Sequence, residues 1–334
     1  MRLQKPWLWL PSDWAHYLGP YALPILSFSK SRTCPEWDAF TWRNLTFRNR
    51  LGIAGGVDKT GKSVESWWRL GPGFVEIGTI TPVGQIGNPG KIMDRDLRHL
   101  ALWNRMGFPN PGMQQLKKVL SAKTRPYPTP LFVNIGKNRT TANENAVEDY
   151  LRCLQELNDL ADVFVINISS PNTEGLRALQ QGESFKRLIG RIADFKAQKK
   201  TKPIVIKLSP DITDEQLGET LAIGLDHDVD GWILTNTTQG RTAGMTFPKE
   251  GGVSGAPLSG QAKTLLKKTV EFLGTKKKDQ LLISVGGVLN ATDVKERLAL
   301  GADLVQVFSA LVFSGPYFFL HTLEQLKKND SRTI

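Results

Sequence analysis

Asn167-Ile168-Ser169-Ser170-Pro171-Asn172-Thr173 places two adjacent hydroxyls, two amides and a proline at the end of an apolar run at 162–168. Proline fixes the turn and removes a competing N–H. No Gly-x-Ser-x-Gly elbow surrounds Ser169 or Ser170, and no histidine is near them in sequence, so a hydrolase triad is not supported. A serine in such a setting can serve as a base if its proton is relayed onward and the substrate carbon is strongly acidified.

Further polar residues repeat the theme. Asn104, Asn134, Asn167, Asn172 and Asn236 each follow a short apolar run. An amide offers donors and an acceptor together, so several converging amides suit a flat ligand with alternating N–H and C=O edges, such as a pyrimidine ring. Any one of them could instead close a turn. Lys207, in Ile-Lys-Leu-Ser-Pro-Asp, reads as an inward strand residue that needs an anionic partner: a reduced flavin, a phosphate or a carboxylate. Lys59, in Gly-Val-Asp-Lys, is either a ligand anchor or half of a surface ion pair with Asp58. Gly286-Gly287 and Phe308-Ser309 follow the last two apolar runs. There a glycine turn can bring backbone N–H groups to a phosphate, or can simply be a turn.

These residues need elements to carry them. Short apolar runs at 51–54, 74–78, 130–135, 162–168, 203–208, 230–235, 281–285 and 303–307 alternate with stretches of helical period. Buried strands alternating with helices predict a parallel sheet, and eight units predict a closed (β/α)₈ barrel of the α/β class. Asn, Lys, Ser and Gly cluster just after the runs, at the strand ends where such barrels build their sites. Residues 40–47 alternate and predict a hairpin turning at Arg43-Asn44.

The chain has 334 residues, 40% hydrophobic and 22% charged, the balance of an ordinary globular protein. Its two cysteines, Cys34 and Cys153, form neither a disulfide framework nor a metal motif, which suits a reducing compartment, and no metal site is expected. The net charge of +11 is compatible with nucleic acid, an anionic membrane, an anionic small substrate or a merely solvated surface. Residues 1–38 differ from the rest. Trp7, Trp9, Trp14, Tyr17, Tyr21 and Phe28 stand among Leu, Ile, Pro and Ala, and the spacing predicts two short helices near 12–18 and 20–29. Aromatic residues favour the membrane–water boundary, and short amphipathic helices can lie in it. The other reading is a helical cap on the barrel. No apolar run is long enough to span a bilayer, and the start lacks the cleavage site of a secretory signal.

Taken together, the strings NLTFRNRLGIAGGVDK, FVEIGTITP, WNRMGF, NIGKN, INISSPNTEGLRALQ, IKLSPD, TNTT, GGVSGAPL, SVGGV and LVQVFSALVFSGP resemble the class 2, quinone-dependent dihydroorotate dehydrogenase family over residues 44–316. DWAH at 13–16 resembles the start of that family's membrane-binding helices. The resemblance implies a TIM barrel at 39–334 that binds FMN, preceded by a membrane-associating segment at 1–38. It implies oxidation of dihydroorotate to orotate in pyrimidine biosynthesis, a hydride going to FMN and electrons then to a membrane quinone. By the same resemblance, Ser170 is the base and Thr173 relays its proton. Lys59, Asn104, Arg105, Met106, Gly107, Phe108, Asn167, Asn172, Asn236 and Thr237 contact substrate. Ala54, Gly55, Thr79, Asn134, Asn167, Lys207, Thr235, Gly255, Gly287, Phe308 and Ser309 hold FMN. His16 and Arg95 stand on the quinone side. The expected partners are dihydroorotate or orotate, a quinone and the membrane surface, with no nucleic acid. The expected state is a monomer held peripherally on the cytoplasmic side of a bacterial cell membrane.

The chain departs from the family's pattern at three places. Ala54-Gly55-Gly56 replaces Ala-Ala-Gly, a change expected to be harmless. Residues 90–96 keep only the second arginine of the usual motif, as Arg95, and Asp94 stands where phenylalanine is usual. Asp94 is expected to turn outward or pair with Arg95, Arg98 or Lys91. Phe308 replaces a common tyrosine. Two other readings are a flavin barrel of the tRNA dihydrouridine synthase kind, which expects a cysteine acid and an RNA-binding domain, and a non-catalytic membrane-surface module. A family member with another electron acceptor is a third.

Overall fold

The structure is a computed structural model that describes residues 5–30 and 33–331. Eight parallel strands close into a barrel in chain order. They are β1 (Leu51–Asp58), β2 (Phe74–Ile80), β3 (Leu131–Ile135), β4 (Val163–Asn167), β5 (Ile204–Leu208), β6 (Gly231–Leu234), β7 (Leu281–Val285) and β8 (Leu304–Val307). Each apolar run read from the sequence falls on one of them. Both faces of the sheet are covered, which is why the strands read as continuous apolar runs and not as alternation.

Alternation still decides what faces the barrel axis. Phe74, Phe132, Val165, Val205, Ile233, Ile283 and Leu304 fill the lower interior as one apolar cluster. Two residues further along their strands come Glu76, Asn134, Asn167, Lys207, Thr235 and Gln306, all buried. The interior is therefore oily at its base and polar at the carboxyl ends. The base is closed by the hairpin Phe40–Trp42 and Leu45–Phe47, turning at Arg43-Asn44. Phe47 is fully buried, its ring edge-on to Phe74 and Phe132 at centroid distances of 5.8 and 6.2 Å. That burial contributes about 1.5–3 kcal/mol to seating the plug.

The surrounding helices bury one stripe each. On Ala146–Leu157 the buried positions include Val147, Tyr150, Leu154 and Leu157, a helical repeat facing the sheet. A small antiparallel sheet stands over the carboxyl end of the barrel, with Ala101–Asn104 between Met93–Asp96 and Gly252–Gly255. It brings Asn104 above the polar layer.

The amino-terminal segment forms one helix, Ser12–Ser27, where two were expected. Pro20 and Pro24 lie inside it. Each removes the N–H that would bond four residues back, so sequence alone favours a break. Packing overrides that preference, as it does for most helices in proteins. Leu23 is buried, Asp13 accepts from the backbone N–H of Met93 at 3.1 Å, and Tyr317 donates its hydroxyl to the Leu26 carbonyl at 2.8 Å. Cys34 and Trp37, inside the segment expected to end at residue 38, are buried against the barrel, where Trp37 Nε1 donates to Asp330 at 2.7 Å. No described helix is long and apolar enough to cross a membrane.

Candidate active site

A cavity opens at the carboxyl ends of the strands. Its wall includes Ala54, Gly55, Lys59, Thr79, Asn104, Met106, Gly107, Phe108, Asn134, Asn167, Ser170, Asn172, Lys207, Thr235, Asn236, Thr237, Gly287, Phe308 and Ser309. Thr173, Arg105 and Gly255 are not on that wall. Arg105 faces outward, to Glu250 at 3.1 Å and the Pro89 carbonyl at 2.7 Å. Thr173 is buried with no hydrogen-bond partner for its hydroxyl among the described residues. Cys34 and Cys153 are buried and free, and neither lines the cavity.

The floor is organised by Glu76, which the sequence reading missed. Its Oε1 accepts from Asn134 Nδ2 at 2.5 Å and from Lys207 Nζ at 3.1 Å, and its Oε2 accepts from Gln306 Nε2 at 2.6 Å. This carboxylate is the anionic partner that Lys207 requires. A carboxylate only accepts, so both amides must turn their NH₂ groups to it, and Asn134 Oδ1 and Gln306 Oε1 become the free ends. Both oxygens are buried without a partner among the described residues, and both residues line the cavity. A charge in the middle of the buried run Phe-Val-Glu-Ile-Gly was the available sign of this role. A Cβ added at Gly55 would lie 2.2 Å from Glu76 Oε1. At Gly55 the Glu76 carboxylate fills the space a side chain would take.

After β4 the chain turns through Ser169 and Ser170 into the cavity wall. Ser169 Oγ is committed, donating to Asn167 Oδ1 at 3.2 Å and accepting from Asn236 Nδ2 at 3.0 Å. Among the described residues Ser170 Oγ accepts only from the backbone N–H of Asn172, at 3.2 Å. Asn172 Nδ2 donates to Asn104 Oδ1 at 2.9 Å, which leaves Asn104 with its NH₂ to offer and Asn172 with an unpartnered Oδ1. Thr237 Oγ1 is likewise buried and unpartnered among the described residues. Arg177, also missed, ties two of these loops together: it donates to the Ser169 carbonyl at 3.1 Å and the Thr237 carbonyl at 2.9 Å, and pairs with Asp211 at 2.8 Å.

Lys59 is not half of an ion pair with Asp58. The Asp58 carboxylate is taken up by the backbone N–H groups of Thr60, Gly61 and Ser63, at 3.0, 2.8 and 3.0 Å. Lys59 Nζ instead meets the Gly56 carbonyl at 2.7 Å and His16 Nε2 at 3.3 Å. Burial, and then the neighbouring ammonium, lower the His16 pKa to about 3, so the ring is neutral and Nε2 acts as the acceptor. Burial lowers Lys59 to about 8, with Asp58 opposing the shift.

A second cavity lies between the amino-terminal helix and the barrel. It is lined by His16, Arg95 and apolar residues including Leu23, Leu26, Trp67 and Leu311. Gly56, Met93, Leu102 and Phe308 line both cavities, so they adjoin across those four residues. Asp94 turns away, pairing with Lys91 at 2.7 Å. Arg95 donates to the carbonyls of Trp7 at 3.3 Å, Leu8 at 2.7 Å and Leu10, so its guanidinium clasps the turn before the helix. Arg95→Ala is expected to loosen residues 5–11 to limited proteolysis. An unchanged cleavage pattern would contradict this clasp.

The glycine turn Gly286–Gly287 completes the wall after β7. Gly287 has φ +71°, and a Cβ there would lie 2.5 Å from that of Ser259. After β8, Ser309 Oγ is 2.9 Å from Ser254 Oγ. Two buried free acceptors, a lysine and a side-chain-free turn suit a ring with N–H and C=O edges that carries a phosphate tail. Flavin mononucleotide has both features.

The model of the family described as dihydroorotate dehydrogenase matches residues 39–329. A dihydroorotate dehydrogenase (quinone) from Thermus thermophilus is 42% identical over 278 residues, covering 82% of this chain and 78% of that protein. One from Stenotrophomonas maltophilia is 37% identical over 341 residues, covering 98% and 95%, a match that necessarily includes the amino-terminal helix. The crystal structure of the Eimeria tenella dihydroorotate dehydrogenase in complex with ferulenol superposes with a TM-score of 0.87 at 28% identity, covering 96% of this chain and 92% of that one. The barrel, the loops at its carboxyl ends and these matches lead to one assignment: the chain belongs to the dihydroorotate dehydrogenase family, in its class 2 branch.

Proposed function

We propose that the protein oxidises dihydroorotate to orotate, with FMN as its prosthetic group and a membrane quinone as the final acceptor. The observation that carries this reading is the meeting of a polar cavity, holding Ser170, Lys59 and the amides, with an apolar cavity under the amino-terminal helix. Bound FMN would supply the two-electron chemistry that no side chain here can. Asn134, Gln306, Lys207 and the Gly286–Gly287 turn would hold it.

The remaining steps belong to the chain. Lys59 anchors the substrate carboxylate, while Asn104, Asn172, Asn236 and Thr237 offer donors and acceptors to the ring, supplying the proximity term. Ser170 removes the ring proton. The Asn172 N–H that it accepts favours negative charge on its oxygen. Thr173, buried with its hydroxyl unpartnered among the described residues, relays that proton onward to solvent. Lys207 holds positive charge at the floor of the cavity, where an anion is stabilised. The test is anaerobic addition of dihydroorotate to the purified protein. Its flavin colour should bleach, and quinone should restore it faster than fumarate or NAD⁺. No bleaching would end this reading, and restoration by NAD⁺ or fumarate alone would end the quinone part of it.

The protein sits peripherally on the cytoplasmic face of the cell membrane, as a monomer. Supporting this, the helix turns an apolar row outward: Trp14, Tyr21, Ile25 and Phe28 are 65, 80, 80 and 84% exposed, at helical spacing. Outside the amino-terminal segment, the exposed large apolar side chains among the described residues are Val83, Ile86, Leu97, Leu100 and Phe272. Tyr21→Asp with Ile25→Asp is expected to abolish most sedimentation with anionic vesicles while leaving flavin reduction intact. Retained binding would assign the membrane to the basic surface instead.

A further inference from the structure

Arg297, on the helix Ala291–Ala299, is completely buried behind the Gly286–Gly287 turn. Its Nη1 donates to Ser284 Oγ at 3.0 Å. Its Nη2 donates to the Gly286 carbonyl at 2.7 Å and to the carbonyl and hydroxyl of Ser259 at 3.2 and 3.1 Å. None of these partners is a carboxylate, and Nε has no partner among the described residues. The acids on its own helix are engaged elsewhere. Asp293 accepts from the backbone of Leu289 and Asn290 at 2.8 and 3.2 Å, and Glu296 pairs with Lys263 at 2.8 Å. Burial lowers the guanidinium to about 10, so it is still charged at neutral pH. Asp293 and Glu296 oppose that shift through their charge but form no ion pair with the guanidinium, and a buried cation without a hydrogen-bonded counter-ion is costly unless an anion sits close by.

The peptide geometry says where that anion belongs. In a trans peptide the C=O and the following N–H point in opposite directions. The Gly286 carbonyl points at Arg297, so the Gly287 N–H points away from it, on a turn that lines the main cavity. That N–H has no acceptor among the described residues. Arg297 thus aims a donor into the cavity and places positive charge directly behind it.

We infer that Arg297 is a positioning residue for the phosphate of the flavin nucleotide, acting through the Gly286–Gly287 peptide and by its charge; this rests on the FMN reading above. It separates FMN from riboflavin, which has the same ring and no phosphate. The test titrates the full-length protein, stripped of flavin with bromide, with FMN and with riboflavin by fluorescence. Arg297→Met should weaken FMN by roughly 10- to 100-fold and riboflavin by no more than about twofold. Arg297→Lys keeps the charge but cannot reach Ser284, Gly286 and Ser259 together, so its preference for FMN should fall by a smaller factor. If the Met variant does not fold, the Lys variant decides. An unchanged preference for FMN over riboflavin in either folded variant overturns the inference, whether both affinities fall equally or neither falls. Wild-type protein that binds no FMN overturns this inference and the proposed function together, and so is distinguished from failure of Arg297 alone.

Discussion

Ser170→Ala is expected to slow reduction of the bound flavin by dihydroorotate about 10²–10⁴-fold at neutral pH, the usual range for loss of a general base. Flavin should remain bound, because the groups expected to hold it (Asn134, Gln306, Lys207 and the Gly286–Gly287 turn) do not hydrogen-bond to Ser170. The neighbouring hydroxyl cannot take over. Ser169 Oγ is held between Asn167 and Asn236, whereas Ser170 Oγ accepts one backbone N–H and is otherwise free on the cavity wall. Ser169→Ala should therefore cost far less in the reductive step than Ser170→Ala. Anaerobic stopped-flow separates the two, and an unchanged rate for Ser170→Ala removes it from the mechanism.

Lys59→Ala should weaken orotate binding by roughly 30- to 5,000-fold, corresponding to the ~2–5 kcal/mol lost when one partner of a buried charged pair is truncated. The flavin spectrum should not change. A pH dependence accompanies this. With its pKa lowered to about 8, Lys59 is charged below that pH and neutral above it in the free protein. The substrate carboxylate needs the charged form, so kcat/KM for dihydroorotate should fall as pH rises through about 8. A bound carboxylate raises the lysine's pKa, so kcat should fall later than kcat/KM. His16 stays neutral across this range and contributes no break of its own. Unchanged orotate affinity in Lys59→Ala, or a flat kcat/KM to well above pH 8, would return Lys59 to a structural role.

Much of the architecture was legible in residue patterns, because patterns record which faces are covered. Eight short apolar runs, each followed by polar and glycine residues, can be satisfied by strands buried on both faces with a site at one end. The hairpin of residues 40–47 was legible from alternation for the same reason. What pattern could not supply was the contacts between strands far apart in sequence. Lys207 required an anion, and the sequence left a flavin, a phosphate and a carboxylate equally open. Closure of the barrel decided for Glu76, which stands 131 residues away. Lys59 next to Asp58 suggested an ion pair, yet the turn after β1 uses that carboxylate for its own backbone and sends the lysine to His16. The apolar spacing argued for two helices, and packing on the barrel made one despite Pro20. Local sequence determined which residues are inside and which can do chemistry, since burial and hydrogen-bonding capacity are properties of each side chain. Partners were decided only by the closed barrel, since which donor meets which acceptor depends on where distant strands come to lie.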